Sequence, residues 1–235
     1  MIQLVTFDAA GTLLKSSWEP ELLAVDSALQ IGLQIDTEKA KGVFLDILKK
    51  NRDRHEDIEL RADPAEIKAF WIGLIAQWLD EIRQDSMCSR EIYELTSQKI
   101  FSGKGEVFSV YDDVLYVLDE LRNKSMKLGV ISNWDSSLHN ILHSLKLDSY
   151  FDFVIASLEF GTEKPDPKIF HFALEKANVN TQHALHIGDS FEDDYLGAKN
   201  AGWHAILLDR EGLYQDVPEA ISDLRNLEKG MGLCA

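Results

Sequence analysis

The feature that most limits how this chain can fold is an alternation of short apolar runs with amphipathic stretches, which is regular from about residue 106 onward. Five apolar runs are typical of strands buried on both faces: residues 2–8, 127–132, 151–157, 184–189 and 203–209. Four stretches have apolar residues at helical spacing: residues 112–124, 136–147, 166–179 and 192–202. This order of elements predicts an α/β fold, a Rossmann-like parallel sheet with helices on both faces.

A long helical segment interrupts the alternation after the first predicted strand. Residues 15–105 have a helical pattern throughout, so we predict an all-helical cap domain inserted into an α/β core formed by residues 1–14 and 106–235. Polar and glycine-containing pieces at 14–20 and 101–109 are the predicted hinges. Open parallel sheets bind ligands at the carboxyl ends of their strands, where such an insertion acts as a lid.

Charge and cysteine content argue against several classes of function. A formal net charge of −16 opposes binding to nucleic acid and to anionic membranes, although local donors or a metal ion can still attract a small phosphorylated ligand. The two cysteines, Cys88 and Cys234, suggest neither a zinc site nor a disulfide framework. With no basic leader and no apolar run near about 18 residues, we predict a soluble cytoplasmic protein. The sequence makes no prediction of oligomeric state.

Polar side chains stand at the predicted carboxyl ends of the strands. Asp8 ends the first strand, Ser132 and Asn133 end the second, Asp189 ends the fourth, and Lys164 lies in the loop after the third. Each alone has an ordinary explanation as a turn, capping or loop residue. Together they supply a carboxylate nucleophile, neutral donors, a cation and a hard metal ligand, which phosphoryl transfer requires.

Four segments match, in order, the signature motifs of a known superfamily. They are FDAAGTL (7–13), VISNWD (130–135), EKPDPKIF (163–170) and HIGDSFEDDYLGAKNAG (186–202). On these segments the chain resembles the haloacid dehalogenase-like (HAD) hydrolases, and the resemblance spans the whole predicted core. The helical segment at 15–105 is similar to the first-position helical cap of that superfamily, although no motif in it matches residue by residue.

The resemblance implies a hydrolase, a phosphatase of a small phosphorylated metabolite. It makes Asp8 the catalytic nucleophile, which forms an aspartyl-phosphate, and Lys164 the cation that orients Asp8 and the phosphoryl oxygens. Ser132 and Asn133 would bind the transferring group. Thr12 would hydrogen-bond near the phosphoryl group or brace the turn.

The resemblance also implies Mg²⁺ as the cofactor. Its ligands would be Asp8, the backbone carbonyl of Ala10, Asp189 and Asp194, the last acting directly or through water. Carboxylate and carbonyl oxygens are hard ligands suited to this ion.

Ala10 departs from the phosphatases of the superfamily, which carry an aspartate two residues after the nucleophile. That aspartate protonates the leaving oxygen and then activates water, and a general acid–base contributes about 10²–10⁴ in rate. Glu19, His55 and Asp135 are the candidates for a replacement acid. Trp134, next to the predicted phosphate-binding pair, either lines the substrate pocket or packs in the core.

The alanine leaves two alternatives open. Phosphonoacetaldehyde hydrolases of the superfamily have alanine in this turn and keep Mg²⁺, but they need a cap lysine that forms a Schiff base. The cap segment offers Lys39, Lys41, Lys49, Lys50, Lys68, Lys99 and Lys104. The second alternative is a catalytically weak relative that binds a phosphorylated ligand or a protein partner. Dehalogenases proper fit poorly, since they place a tyrosine at this position and do without Mg²⁺.

Overall fold

The computed structural model describes residues 1–61, 63–104 and 107–227, and eight strands lie within them. The strands are β1 (Leu4–Phe7), β2 (Leu14–Ser16), β3 (Phe108–Val110), β4 (Lys127–Ser132), β5 (Phe153–Ala156), β6 (Ala184–Gly188), β7 (His204–Leu208) and β8 (Ala220–Ile221). Six form one parallel sheet in the order β5-β4-β1-β6-β7-β8, and β2 pairs antiparallel with β3. The predicted α/β fold is confirmed.

β1 lies in the middle of the sheet, between β4 and β6. Val5 of β1 pairs with Leu128 of β4 and with Leu185 of β6, and all three side chains are buried. Runs of Val, Ile and Leu form such strands because a parallel sheet is covered on both faces. Since the strands are parallel, the carboxyl ends of β1, β4 and β6 meet at one edge of the sheet.

Ten α-helices lie in the described residues. They are α1 (Pro20–Gln30), α2 (Thr37–Lys50), α3 (Arg52–Arg61), α4 (Pro64–Glu81), α5 (Ser89–Phe101), α6 (Val114–Asn123), α7 (Ser137–Ser144), α8 (Ser157–Phe160), α9 (Pro167–Ala177) and α10 (Gly197–Asn200). A π-helical segment, Phe191–Leu196, precedes α10. Short 3₁₀ turns lie at Ser86–Cys88, Asp148–Tyr150, Thr181–His183 and Leu224–Asn226. The carboxylates of Asp36, Asp63 and Asp166 accept backbone N–H groups at the starts of α2, α4 and α9, which fixes where these helices begin.

The chain divides into two compact units. The first contains residues 1–16 and the described residues from 108 onward, and the second contains the described residues of 17–107. In the first unit, α9 packs on β4 and β5, while α6 packs on β4. The second unit is helical in its described part. Its use as a cap domain, and the exact predicted boundaries, stay predictions.

Trp78 lies at the centre of the second unit. Its indole is fully buried, meets Phe44 edge-on with 5.6 Å between ring centroids, and donates from Nε1 to the Ala40 carbonyl at 2.8 Å. Phe70 and Leu74 belong to the same core. The apolar stripe on α4 is therefore core packing.

Local polar groups explain where helices differ from the predicted pattern. The charged run at 49–57 lies in the segment predicted to be helical throughout, and it is divided at Asn51. The side-chain amide of Asn51 donates to the Ile47 carbonyl at 2.9 Å and ends α2. α3 then begins as a separate helix. The stretch predicted as one helix at 192–202 is π-helical before it becomes α10.

No helix in the described part of the chain is both long and apolar enough to cross a membrane. The cytoplasmic location stays a prediction.

Cys88 carries a free thiol. Cys234, the hinge residues Gly105 and Glu106, and residues 228–235 of the predicted core lie outside the described residues.

Candidate active site

Asp8 follows β1 directly and is nearly fully buried. Its backbone N–H donates to the Ile187 carbonyl at 2.9 Å, which continues the pairing with β6 for one residue beyond the strand. The chain then turns, and the N–H groups of Leu13 and Leu14 both donate to the Ala9 carbonyl, at 2.9 and 2.8 Å. The strand and the closed turn together hold the carboxylate at the sheet edge.

Lys164 and Ser132 both donate to the carboxylate of Asp8. Lys164 Nζ lies 2.7 Å and Ser132 Oγ 2.9 Å from Asp8 Oδ1. The lysine side chain is only 2% exposed. Among the described residues, both side-chain donors end on Oδ1, so Oδ2 keeps its lone pairs available. This arrangement orients a carboxylate while leaving one oxygen able to react.

Asn133 holds the loop that carries Lys164. Its Oδ1 accepts the Lys164 backbone N–H at 2.8 Å, and its Nδ2 donates to the Lys164 carbonyl at 2.9 Å. The side-chain amide thus binds both backbone polar groups of one residue, Lys164. The predicted part of Asn133 in phosphate binding stays a prediction, whereas its contact with the lysine loop is a positioning interaction that the sequence pattern did not indicate.

Three carboxylates converge beside the lysine. Oxygens of Asp8, Asp189 and Asp194 all lie within 4.8 Å of one another. Asp194 is buried and accepts from Lys164 Nζ at 2.5 Å and from the Ser190 N–H at 2.9 Å. Asp189 is more exposed and accepts from the Thr12 hydroxyl at a longer 3.4 Å. The predicted site residues are therefore brought together at one edge of the sheet.

The three carboxylates lie close to one cation, Lys164, and their pKa values shift in different directions. Burial raises the pKa of Asp8, Lys164 opposes this rise, and the charge of Asp194 adds to it. Burial also opposes ionisation of Asp194, but Lys164 and the hydrogen bond from His186 lower its pKa. Desolvation and the charges of Asp8 and Asp194 raise the pKa of Asp189 to about 6. Burial disfavours the charged form of Lys164, yet Asp194 and Asp8 raise its pKa.

His186 was not predicted as a site residue, yet it supports Asp194 from inside the sheet. His186 Nε2 lies 3.0 Å from Asp194 Oδ1, and its Nδ1 lies 2.8 Å from the Thr6 hydroxyl. Because a carboxylate accepts, Nε2 carries the hydrogen, and Nδ1 of the neutral ring accepts from Thr6. Burial lowers the pKa of His186 and favours this neutral form. The signal in the sequence was a histidine in an otherwise apolar strand.

The donor set of this cluster fits Mg²⁺. Three carboxylates face one ammonium group, so the cluster has a deficit of positive charge when all are ionised. Mg²⁺ prefers hard oxygen ligands and usually takes only part of its coordination shell from the protein. Asp8, Asp189 and Asp194 could hold it, together with the backbone carbonyl of Ala10 in the adjoining turn.

Two of the three candidate replacement acids, Asp135 and His55, have structural partners of their own. Asp135 Oδ1 accepts the Ser137 N–H at 2.9 Å at the start of α7. In the second unit, Glu19 stands at the start of α1, and the His55 ring stacks on Phe70 with 5.1 Å between centroids. Among the described residues of the first unit, only Ser132 and Lys164 donate side-chain hydrogen bonds to the nucleophile.

Trp134 is used in packing within the first unit. Its ring lies 5.3 Å from that of Phe108, and its Nε1 donates to Ser137 Oγ at 3.2 Å. The ring is half-buried, so these contacts account for part of its surface, and both predicted roles of Trp134 stay predictions.

Comparisons with known proteins indicate the family to which the chain belongs. A family model for haloacid dehalogenase-like hydrolases matches residues 43–208. The chain belongs to this family. Rhythmically expressed gene 2 protein of Drosophila melanogaster is 34% identical, over 88% of this chain and 82% of its own length. Glyceraldehyde 3-phosphate phosphatase of Pyrococcus abyssi is 30% identical, over 88% and 81%. The crystal structure of 2-haloacid dehalogenase from Pseudomonas syringae covers 100% of both chains, with 26% identity and a TM-score of 0.70.

Family membership confirms the resemblance read from the four sequence segments, and with it the hydrolase class. The names of the relatives cover both phosphatase and dehalogenase activities. Family membership alone does not choose between these reactions, and the choice depends on the residues of the site.

Proposed function

We propose that this HAD-like hydrolase is a Mg²⁺-dependent phosphatase of a small phosphorylated metabolite, with Asp8 as nucleophile. One observation carries the proposal: Asp8 Oδ1 is held by Lys164 and Ser132 while Oδ2 stays open, beside a cluster of carboxylates. A dehalogenase that works without a metal would have no use for that acidic cluster. The related glyceraldehyde 3-phosphate phosphatase supports a small phosphorylated substrate.

The reaction follows from the positions of these groups. Oδ2 of Asp8 attacks phosphorus, the bond from phosphorus to the leaving oxygen breaks, and that oxygen departs with the electron pair. Water then attacks the aspartyl-phosphate and returns Asp8 and inorganic phosphate. Lys164 and Ser132 orient the carboxylate and offer charge and hydrogen bonds to the phosphoryl oxygens, while Asn133 holds the lysine loop.

Asp8, Asp189, Asp194 and the Ala10 carbonyl would hold Mg²⁺. When bound, the ion supplies positive charge that offsets the carboxylates and the charge on the phosphoryl oxygens. Thr12 would fix the orientation of Asp189 through its hydroxyl.

Ala10 limits the substrates that can turn over quickly. Its methyl group cannot protonate a departing alkoxide, and loss of a general acid costs about 10²–10⁴ in rate. A leaving group that is stable as an anion needs no such proton. We therefore propose that the enzyme prefers phosphates with acidic leaving groups, such as aryl or acyl phosphates, over simple alkyl phosphates.

The alternatives have less support. A phosphonoacetaldehyde hydrolase needs a desolvated lysine in its cap, and none of the seven candidate lysines is buried. Three of them, Lys41, Lys68 and Lys99, pair with acidic residues of the second unit. A weak phospho-ligand binder requires no well-oriented nucleophile, whereas Asp8 has two donors on one oxygen.

The test compares the native protein with Ala10→Asp and Asp8→Asn in phosphate release from an aryl and an alkyl phosphate, with and without Mg²⁺. We expect the native protein to favour the aryl ester, and Ala10→Asp to raise alkyl turnover by about 10²-fold or more because it restores the acid. Asp8→Asn should be inactive on both.

Three results would count against parts of the proposal. Activity retained in Asp8→Asn excludes Asp8 as nucleophile. Equal native rates on both esters mean that another residue supplies the proton. Activity in Ala10→Asp alone, on either ester, favours the ligand-binding alternative.

A further inference from the structure

Arg210, just after β7, contacts the turn that follows the nucleophile. Its Nε–H donates to the Gly11 carbonyl at 3.2 Å, and its Nη2 donates to the Thr12 carbonyl at 2.8 Å. Asp113 accepts from Nη1 at 2.9 Å and from Nη2 at 3.0 Å. The guanidinium carbon lies 3.8 Å from the centroid of the Tyr111 ring. The side chain of Asp113 is 2% exposed, so the pair is well shielded from water.

These contacts fix successive peptide groups of the turn. The Gly11 N–H donates to the Leu14 carbonyl at 2.8 Å, which holds the peptide group whose carbonyl belongs to Ala10. The next two peptide groups present the carbonyls of Gly11 and Thr12, and Arg210 binds both. Rotation of any of these groups would break at least one of the three bonds.

The turn needs this support because it lies tightly against Asp189. Gly11 has φ +76°, and a Cβ at this position would overlap the Asp189 carboxylate. Thr12 donates its hydroxyl to the same carboxylate. A shift of the turn would therefore change where the Thr12 hydroxyl and the Ala10 carbonyl stand relative to Asp189.

We propose that Arg210 is a positioning residue of the active site, which locks the turn that presents the Ala10 carbonyl and the Thr12 hydroxyl to the acidic cluster. The consequence for metal binding rests on the proposed function, whereas the effect on the turn does not. Arginine suits this task because its planar fork binds the Asp113 carboxylate with two parallel bonds while other N–H groups reach the carbonyls. A lysine has one ammonium group and cannot reproduce this geometry.

Arg210→Lys keeps the charge and removes the fork. In the metal-free protein we expect amide hydrogen exchange at Gly11, Leu13 and Leu14 to become about 10-fold faster or more, since charged hydrogen bonds that restrain the turn are lost. Amides of β4 should exchange at the native rate. In calorimetric titration with MgCl₂, the Kd should rise about 10-fold, a change that general loss of stability outside the site would not produce.

Arg122→Lys is the matched control. Arg122 donates to Asp152 at 2.9 Å, and Asp152 also accepts the Leu128 N–H, as Asp113 accepts the Leu224 N–H. Arg122→Lys should leave amide hydrogen exchange at Gly11, Leu13 and Leu14 at the native rate.

Native exchange rates at Gly11, Leu13 and Leu14 in Arg210→Lys would overturn the inference. If amide exchange is faster in Arg210→Lys but the native protein binds no Mg²⁺, the positioning role is supported and the metal part of the proposed function is contradicted. If Arg210→Lys does not fold, Asp113→Asn provides the second test, because it weakens the fork but leaves Arg210 in place. Faster exchange at the same amides supports the inference, and native rates overturn it.

Discussion

At the scale of single residues, Lys164 is the side chain on which the site most depends. Its ammonium donates to both Asp8 and Asp194. Removing one partner of a buried ion pair typically costs about 3–5 kcal/mol, because the remaining charge loses its compensation. Here two carboxylates share the lysine, so the same residue stabilises the first unit and orients the nucleophile.

Gly188 packs closely against the carboxylate of Asp194. A Cβ at Gly188 would overlap the carboxyl carbon of Asp194, whose oxygens are held by Lys164, His186 and the Ser190 N–H. Asp194 cannot move aside without losing these bonds. We therefore expect Gly188→Ala to lower kcat/KM by about 10²-fold or more, since misplacement of site groups by about 1 Å can cost that much. Steady-state kinetics on an aryl phosphate measures the loss.

Gly73→Ala is the control for this prediction. A Cβ at Gly73, in α4, meets no atom within 4 Å. Alanine in a helix interior is favoured over glycine by about 0.5–1 kcal/mol, so this variant should be slightly more stable and fully active. Native activity in Gly188→Ala would show that the Asp194 position tolerates displacement.

The sequence indicated which motif residues would meet, but not the residues that hold them. Asp8 and Asp189 end strands, and parallel strands bring their carboxyl ends to one edge. Arg210 binds backbone carbonyls of Gly11 and Thr12, and carbonyls are present at every residue, so no side-chain pattern marks their partner. His186 left only a weak trace, as a polar residue in a buried strand.

At the scale of elements, the His139 to Glu159 contact joins α7 to α8 and makes stability depend on pH. His139 Nε2 lies 2.8 Å from Glu159 Oε2, and this hydrogen bond raises the pKa of His139, with burial opposing it. The raised pKa means that the contact stabilises fully below about pH 6.5, the ordinary histidine value, and fades as pH rises through the folded-state pKa. With His139 46% exposed, solvent screening keeps the contribution small.

Glu159→Gln should therefore lower the free energy of unfolding by up to about 0.5 kcal/mol at pH 5.5 and have no measurable effect at pH 8.5. Urea denaturation at the two pH values measures this difference. Glu163→Gln, at an exposed acid of the following loop, is the control and should show no such pH dependence. An equal loss at both pH values in Glu159→Gln would mean that the contact does not involve a charged histidine.

Strands and helices were predictable where they were long enough to show a recognisable pattern of apolar residues. Strands β1, β4, β6 and β7 were predicted from continuous apolar runs because they are buried on both faces, and the longer helices from apolar residues at helical spacing. The β2 and β3 pair was not predicted, since each strand has three residues and shows no period. The π-helical segment was also missed, as its apolar spacing does not distinguish it from an α-helix.

At the scale of the whole molecule, the net charge of −16 gives Mg²⁺ two ways to stabilise the protein. Any salt at sufficient ionic strength screens the surface carboxylates and so reduces their mutual repulsion. Binding at Asp8, Asp189 and Asp194 would instead add stability in proportion to the logarithm of the Mg²⁺ concentration. Only the second depends on particular side chains.

We expect Mg²⁺ to raise the Tm of the native protein well beyond the effect of NaCl at equal ionic strength. At about 100 times its Kd, a ligand adds about 2.7 kcal/mol, and about 1 kcal/mol shifts the Tm of a chain of this size by about 2–4 °C. Asp189→Asn should lose most of the resulting shift of about 5–10 °C. Asp112→Asn makes the same chemical change at a highly exposed aspartate and should keep it. Equal shifts in both variants would mean that Mg²⁺ acts by screening, and the acidic cluster would not be its site.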